Sequence, residues 1–277
     1  MADEIHPFEL RVSDADLSNL RERLRRTRWP ERQTVDDWSQ GIPLAVVQEL
    51  CEYWADRYDW RPTENRLNHL AQYRTEIDGL GIHFLHVRSP HPDAVPLILT
   101  LVIAGPPESM LSDLTEDEQA MLGVIDDHKH WGTGYSTQQS TRPQTLGYGL
   151  VDSPAAQCAW IAEEFWTWTD CNGDLFSIVS RDDVLDNVML YWLPAVGASS
   201  ARLYWESLRG LNRDPVPVPA GCSQYPKEIY RASRRWARQR YPDLRWWKEL
   251  DRGGHFGAFE QPAILVDEIR SFFRTVR

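Results

Sequence analysis

The sequence has no long apolar run, no cysteine pairing pattern and no excess of positive charge, and each absence narrows what the chain can be. No apolar stretch approaches the ~18 residues of a membrane span. The amino terminus, MADEIHPFEL, lacks the basic-then-apolar order of a secretory signal. Cys51, Cys158, Cys171 and Cys222 are scattered with no CxxC pair, which suggests neither a zinc site nor a disulfide framework. A formal net charge of −11 speaks against a nucleic-acid partner held through its phosphates. The one basic segment, LRERLRRTR at 20–28, reads as a solvated helix face. Internal repeats and low-complexity segments are missing too. These absences describe a soluble, cytoplasmic protein with no metal, no cofactor, no membrane span and no nucleic acid.

What is there is a globular composition: 277 residues, 26% charged and 11% aromatic. The thirteen Trp read as a large aromatic core, and alternatively as the lining of an apolar ligand cavity. The chain divides by pattern. Residues 1–70 are helical, with Ser13 as a cap before Leu17, Leu20 and Leu24, and Pro43 in the first turn of a helix that turns Val46, Val47, Leu50 and Trp54 to one side. Residues 71–109 are strand-like: YRTEIDGLGIHFLHVRS reads as strand, Asp-Gly turn, strand. Residues 110–212 are helical and aromatic, with Thr115 capping TEDEQAMLGVIDDHKHW, then PAAQCAWIAEEFWTW, RDDVLDNVMLYWL and SSARLYWESL. Residues 213–277 return to α/β, with strand PVPVPAGCSQY, helix PKEIYRASRRWARQ, strand DLRWWKEL, a Gly-Gly-His loop and helix QPAILVDEIRSFFRTV. Strand units flanking a helical insert are the pattern of an α/β sheet with a helical cap.

One strand is anomalous. VPLILTLVIAGPPES, residues 95–109, opens as a buried parallel strand but meets no polar or Gly-rich turn until Gly105-Pro106-Pro107. In open α/β sheets the chemistry sits at such carboxyl ends, so the turn that belongs there is missing.

Four positions carry candidate chemistry. His255, after two glycines in DRGGHFGAFEQP, is a general-base candidate or a structural loop histidine. Glu228, in SQYPKEIY behind a helix-starting Pro226, is an orienting carboxylate or a first-turn helix acid. Tyr135 lies in a long polar, Gly-rich passage at 131–165, and Tyr204 in SSARLYWES; each is catalyst or core.

Taken in order, GTGYSTQQSTRPQTLGYGLVDSP…AWIAEEFWTWTD, DVLDNVMLYWL…SSARLYWES, VPVPAGCSQYPKEIY and DRGGHFGAFEQP resemble the epoxide hydrolases of the microsomal type. The helical arm and YRTEIDGLGIHFLHVRSP extend the resemblance over nearly the whole chain. It implies an α/β-hydrolase sheet with an N-terminal helical arm (1–70), a core from 71–109 and 213–277, and a helical lid (110–212). It also implies two lid tyrosines that hydrogen-bond an epoxide oxygen, here Tyr135 and Tyr204. A histidine that activates water falls on His255, and the acid that orients it on Glu228.

The departure from the family explains the anomalous strand. The family's His-Gly oxyanion turn and its Gly-Asp-Trp-Gly elbow, which bears the Asp nucleophile, have no counterpart; neither does G-x-S-x-G. VPLILT and LVIAGPPES look like two strands fused where both turns are excised, giving a truncated α/β-hydrolase-like sheet. Without a nucleophile the two-step covalent route is lost. The expectation is a non-covalent acid/base enzyme (cyclase, isomerase or direct epoxide opening) on an apolar small molecule of a specialised pathway. Alternatives are a catalytically silent binding or partner protein, and a hydrolase with a rewired nucleophile at Asp113, Glu108 or Ser109. The lost strands leave one sheet face uncovered, which implies a homodimer.

Overall fold

The computed structural model describes residues 4–94, 97, 99, 106, 108–208 and 214–276. A two-residue strand β1 (His6–Pro7) leads to helices α1 (Asp14–Arg25), α2 (Leu44–Asp56) and α3 (Arg61–Asn68), then to a hairpin of β2 (Gln72–Ile77) and β3 (Leu80–Leu85). Next come α4 (Glu116–Asp127), a single π turn (His128–Gly132), α5 (Gly134–Thr141), α6 (Pro143–Asp152), α7 (Pro154–Trp168), α8 (Arg181–Trp192) and α9 (Gly197–Ser207). The last part alternates β4 (Ala220–Gln224), α10 (Arg234–Arg240), β5 (Leu244–Glu249), α11 (Gly257–Glu260) and α12 (Pro262–Phe273).

Helix starts follow side-chain capping. The Ser13 hydroxyl accepts from the Asp16 N–H at 3.1 Å. At α4 the Thr115 hydroxyl accepts from the Glu118 N–H at 3.2 Å while the Glu118 carboxylate accepts from the Thr115 N–H at 3.1 Å, a reciprocal capping box. Pro43 stands just before α2 as its N-cap. The Asp78-Gly79 turn places both residues at positive φ, 52° and 80°, which is what a two-residue hairpin with right-twisted strands requires.

The main core lies between the arm and the helical block. Leu17, Leu20 and Leu24 of α1 and Leu50 and Trp54 of α2 pack with Cys158, Ala162 and Phe165 of α7 and Leu185, Val188 and Met189 of α8. Polar bonds lock the same contact: the Asp186 carboxylate accepts from the Tyr58 hydroxyl at 2.5 Å, the Thr63 hydroxyl at 2.6 Å and Arg66 at 2.7 Å. Several Trp serve this core, Trp54 and Trp60 among them, whereas Trp131 is 91% exposed. All four cysteines are buried and free.

Several expectations are corrected. The arm is not wholly helical, because β1 pairs antiparallel with β2, His6 opposite Arg74. The polar passage at 131–165 lies in the helical block as read, holding α5, α6 and most of α7. Pro226 does not start a helix: Lys227 bridges to Gly254, and α10 begins only after Ser233, whose hydroxyl caps Trp236 N–H at 3.3 Å. Glu228 is therefore a loop residue. The five described strands form two sheets, antiparallel β1-β2-β3 and parallel β4-β5, rather than one. The long strand 95–104 lies outside the described residues except at Leu97 and Leu99. These two are in no strand and are 44% and 64% exposed, against the expectation of burial on both faces.

Close approach of α6 and α9 sets the position of Tyr204. A Cβ at Gly147 would lie 2.5 Å from the Ala198 Cβ, whereas one at Gly149, on the same helix, would meet nothing within 4 Å. Gly149→Ala is therefore expected to stabilise the protein by roughly 0.5–1 kcal/mol through helix propensity. Gly147→Ala is expected to destabilise it by about 1–3 kcal/mol through overpacking. Thermal unfolding of the two variants checks the opposite signs.

Candidate functional site

The loop between β5 and α11 is held by backbone bonds before any side chain acts. Gly253 adopts φ 98°, and a Cβ at Gly254 would fall 2.4 Å from the Trp168 carbonyl oxygen, so both positions require glycine. The His255 N–H donates to that carbonyl, at the end of α7, at 2.8 Å. The Asp170 carboxylate accepts from the Gly253 N–H at 3.0 Å. The Glu260 carboxylate accepts from the Gly254 N–H at 3.0 Å and from the Asp170 N–H at 2.8 Å. The loop is thus tied to the helical block as well as to the β4-β5 unit.

This backbone presents His255 to Glu228. The His255 Nδ1 and Glu228 Oε1 stand 2.8 Å apart, and each side chain is 16% exposed. The same carboxylate oxygen accepts from the Ile229 N–H at 2.8 Å, which fixes its direction. With Nδ1–H donated to the carboxylate, Nε2 is the free, proton-accepting end of the imidazole.

The tyrosines meet in the helical block. Tyr135, at the start of α5, and Tyr204, on α9, contact edge to face with ring centroids 5.9 Å apart. Trp168 contacts both Tyr135 and the imidazole, its ring 5.1 Å from Tyr135 and 5.1 Å from His255. Burial raises the pKa of both phenols. The buried Gln139 hydrogen-bonds Tyr204 and opposes that rise. Both hydroxyls remain protonated at neutral pH and are able to donate.

Glu164 was not singled out from the sequence. It lies one helical turn before Trp168 on α7, so the two share a face, and it interacts electrostatically with both Tyr135 and Tyr204. Burial, helped by the charge of Glu163, pushes its carboxyl up to about 8. The i, i+4 spacing inside AWIAEEFWTW was the available signal. Asp170 and Glu260 also escaped notice, because only the fold brings their carboxylates to the glycine amides.

The residues considered as replacement nucleophiles are elsewhere engaged or exposed. The Asp113 carboxylate is bonded to Arg235 at 3.1 Å. Glu108 and Ser109 lie in an exposed 3₁₀ turn. Among the described residues no group of His, Cys, Asp and Glu is arranged to hold a metal ion, and no helix is long and apolar enough to cross a membrane.

Comparison with known proteins finds similar sequences and structures. A family profile described as "Epoxide hydrolase N terminus" matches residues 5–112. A Stigmatella aurantiaca protein named "Putative epoxide hydrolase" is 38% identical over 99% of this chain and 86% of its own length. Epoxide hydrolase 1 of Sus scrofa is 24% identical over 98% of this chain and 88% of its own. Among solved structures, Aspergillus niger epoxide hydrolase superposes with a TM-score of 0.86 at 22% identity, covering 99% of this chain and 97% of the other. The juvenile hormone epoxide hydrolase of the silkworm Bombyx mori gives 0.83 at 22% identity, covering 99% and 96%. The α/β fold is therefore that of the epoxide hydrolase structures.

The state of Glu164 is open to measurement. Its folded pKa is raised, so between the ordinary carboxyl value of 4.5 and about 8 the folded chain binds more protons than the unfolded one. Stability on this account falls as pH rises through that window. Glu164→Gln removes the dependence. The variant is expected to match the wild type near pH 4.5 and to exceed it by about 1 kcal/mol or more near pH 8.5, as read by urea unfolding at both pH values.

Proposed function

The chain belongs to the microsomal epoxide hydrolase family, and from that premise we propose that it opens an epoxide of an apolar small molecule without a covalent intermediate. The observation that carries this reading is that the 2.8 Å His255–Glu228 pair and the protonated Tyr135, itself in contact with Tyr204, both touch the Trp168 ring. Family membership and an apolar, aromatic-lined surround support the substrate class. Loss of the nucleophile is supported by the missing Gly-Asp-Trp-Gly sequence. It is also supported by the alignment with the Stigmatella protein, which runs over 376 positions against the 277 residues of this chain.

The chemistry balances with the groups present. Water, or a hydroxyl of the substrate, gives its proton to the Nε2 of His255 as its oxygen bonds to an epoxide carbon. The epoxide C–O bond breaks, and the departing oxygen takes a proton from Tyr135 or Tyr204. The imidazolium, stabilised by Glu228, then returns its proton to the tyrosinate. A positioned base contributes roughly 10²–10⁴-fold, and each preorganised donor about 2.7–4 kcal/mol. Glu164 does not substitute for the nucleophile, because a carboxyl kept neutral near pH 7 attacks poorly.

Intact-mass spectrometry during turnover of styrene oxide tests this reading. The expected result is diol formation with no protein adduct, and a drop of roughly 10²-fold in kcat/KM on Tyr135→Phe or Tyr204→Phe. An ester on Glu164 or any other carboxylate overturns it in favour of a rewired hydrolase, and binding without turnover overturns it in favour of a silent binding protein.

We also propose that the chain works as a homodimer. In support, one face of the β2–β3 hairpin exposes Ile77 at 51%, Leu80 at 68% and Ile82 at 38%. Such an apolar face is consistent with an interface in the ~2,000–5,000 Å² class. Light scattering at micromolar concentration is expected to give twice the chain mass of 32.2 kDa. A single-chain mass that persists on concentration contradicts the dimer.

A further inference from the structure

Gly257 opens α11 without a positive φ, at a position where alanine is the better helix former. Its backbone conformation does not call for glycine; a neighbouring ring does. A Cβ at Gly257 would fall 2.4 Å from both Cε2 and Cζ of Tyr225 and 2.8 Å from its hydroxyl oxygen. Gly253 meets the other edge of the same ring, where a Cβ would lie 2.6 Å from Cδ1. These two glycines flank His255 on either side in the sequence. The loop that carries the imidazole is thus wrapped around one buried aromatic side chain.

The backbone of Tyr225 holds the acid. Its carbonyl accepts from the Glu228 N–H at 3.2 Å and closes the turn from which the carboxylate reaches His255. Beside that turn the Lys227 N–H donates to the Gly253 carbonyl at 3.1 Å, and Lys227 pairs with Gly254 in a parallel bridge. Tyr225 therefore touches both halves of the pair, the Glu228 turn through its main chain and the His255 loop through its ring. Its hydroxyl is buried and has no hydrogen-bond partner among the described residues. An unpaired buried hydroxyl adds no stability, so the contribution of this residue lies in the volume and rigidity of the ring.

We infer that Tyr225 is a positioning residue, its ring the spacer that sets the 2.8 Å approach of His255 to Glu228. The inference rests on the reading of that pair given above and adds the element that holds its geometry. A ring pressed on two edges by the glycines transmits any change in its own size to the loop between them. A smaller side chain lets the loop shift against the Glu228 turn, and a methyl group at Gly257 pushes it from the opposite edge. Either change takes the Nδ1 proton off its line to the carboxylate, and hydrogen bonds weaken steeply with misalignment. A misplaced base lowers turnover rather than substrate binding.

Two readouts test the proposal, one of them without substrate. The Nδ1 proton of His255 is followed by proton NMR of protein carrying ¹⁵N-histidine, as the downfield resonance of an imidazole N–H held by a carboxylate. The conservative variant Tyr225→Phe keeps the ring and is expected to retain this resonance and the kcat for styrene oxide. Tyr225→Leu is expected to lose the resonance and about 10²-fold in kcat, with KM little changed. A Tyr225→Leu protein that is folded by circular dichroism and keeps both overturns the proposal, as does a Tyr225→Phe protein that loses both. Should Tyr225→Leu not fold, Gly257→Ala decides: a displaced resonance supports the spacer, and an unchanged one overturns it. If the wild type does not turn over styrene oxide, the functional reading fails on its own terms. The resonance in these variants then still decides whether Tyr225 sets the pair.

Discussion

The hydrogen bond from the His255 N–H to the Trp168 carbonyl is the contact on which the rest of the site depends. It joins the Gly-Gly-His loop, which follows the parallel β4-β5 pair, to the last turn of α7. A free carbonyl at a helix end needs a partner, and the loop supplies it only because Gly254 brings no side chain to the meeting point. Asp170 and Glu260 brace the junction by accepting from the flanking amides. Trp168 therefore carries two duties: its backbone carbonyl holds the His255 loop, and its ring contacts both the imidazole and Tyr135.

The electrostatic design follows from burial. Tyr135, Tyr204 and Glu164 are all kept in their neutral, protonated forms by loss of solvent. The protonated Tyr135 and the imidazole of His255 both contact the indole ring of Trp168. The helical block can hold this arrangement because it is anchored to the arm through the α1–α2 and α7–α8 core and through the bonds converging on Asp186. The main core of the described residues therefore lies between the N-terminal helices and the central helical block, not on a central sheet.

Where local chemistry decides structure, it could be read directly from the residues. Ser13 and Thr115 cap helices, Asp78-Gly79 turns the hairpin, and the apolar spacing in α2, α7 and α8 marks their buried faces. Reading failed where tertiary contact overrides local pattern. No local pattern tells that Gly147 and Gly197 let α6 and α9 approach closely. Pro226 looks like a helix start, yet the chain there bridges to Gly254. The four candidate site residues were legible through motif order. Glu164 and Trp168 were not, because their relation to the site comes from helix packing, which leaves no short motif. The strand expected at 95–104 lies outside the described residues, apart from the exposed Leu97 and Leu99.

Whether the oxygen added to the substrate ever belongs to the protein is the central question, and a single turnover answers it. Enzyme in excess over styrene oxide is placed in H₂¹⁸O, quenched after one turnover, and the diol is weighed by mass spectrometry. Direct attack by water puts ¹⁸O into the first diol formed. An unlabelled first diol, with ¹⁸O appearing in a carboxylate of the chain, would mean that an ester formed, and would contradict the non-covalent mechanism.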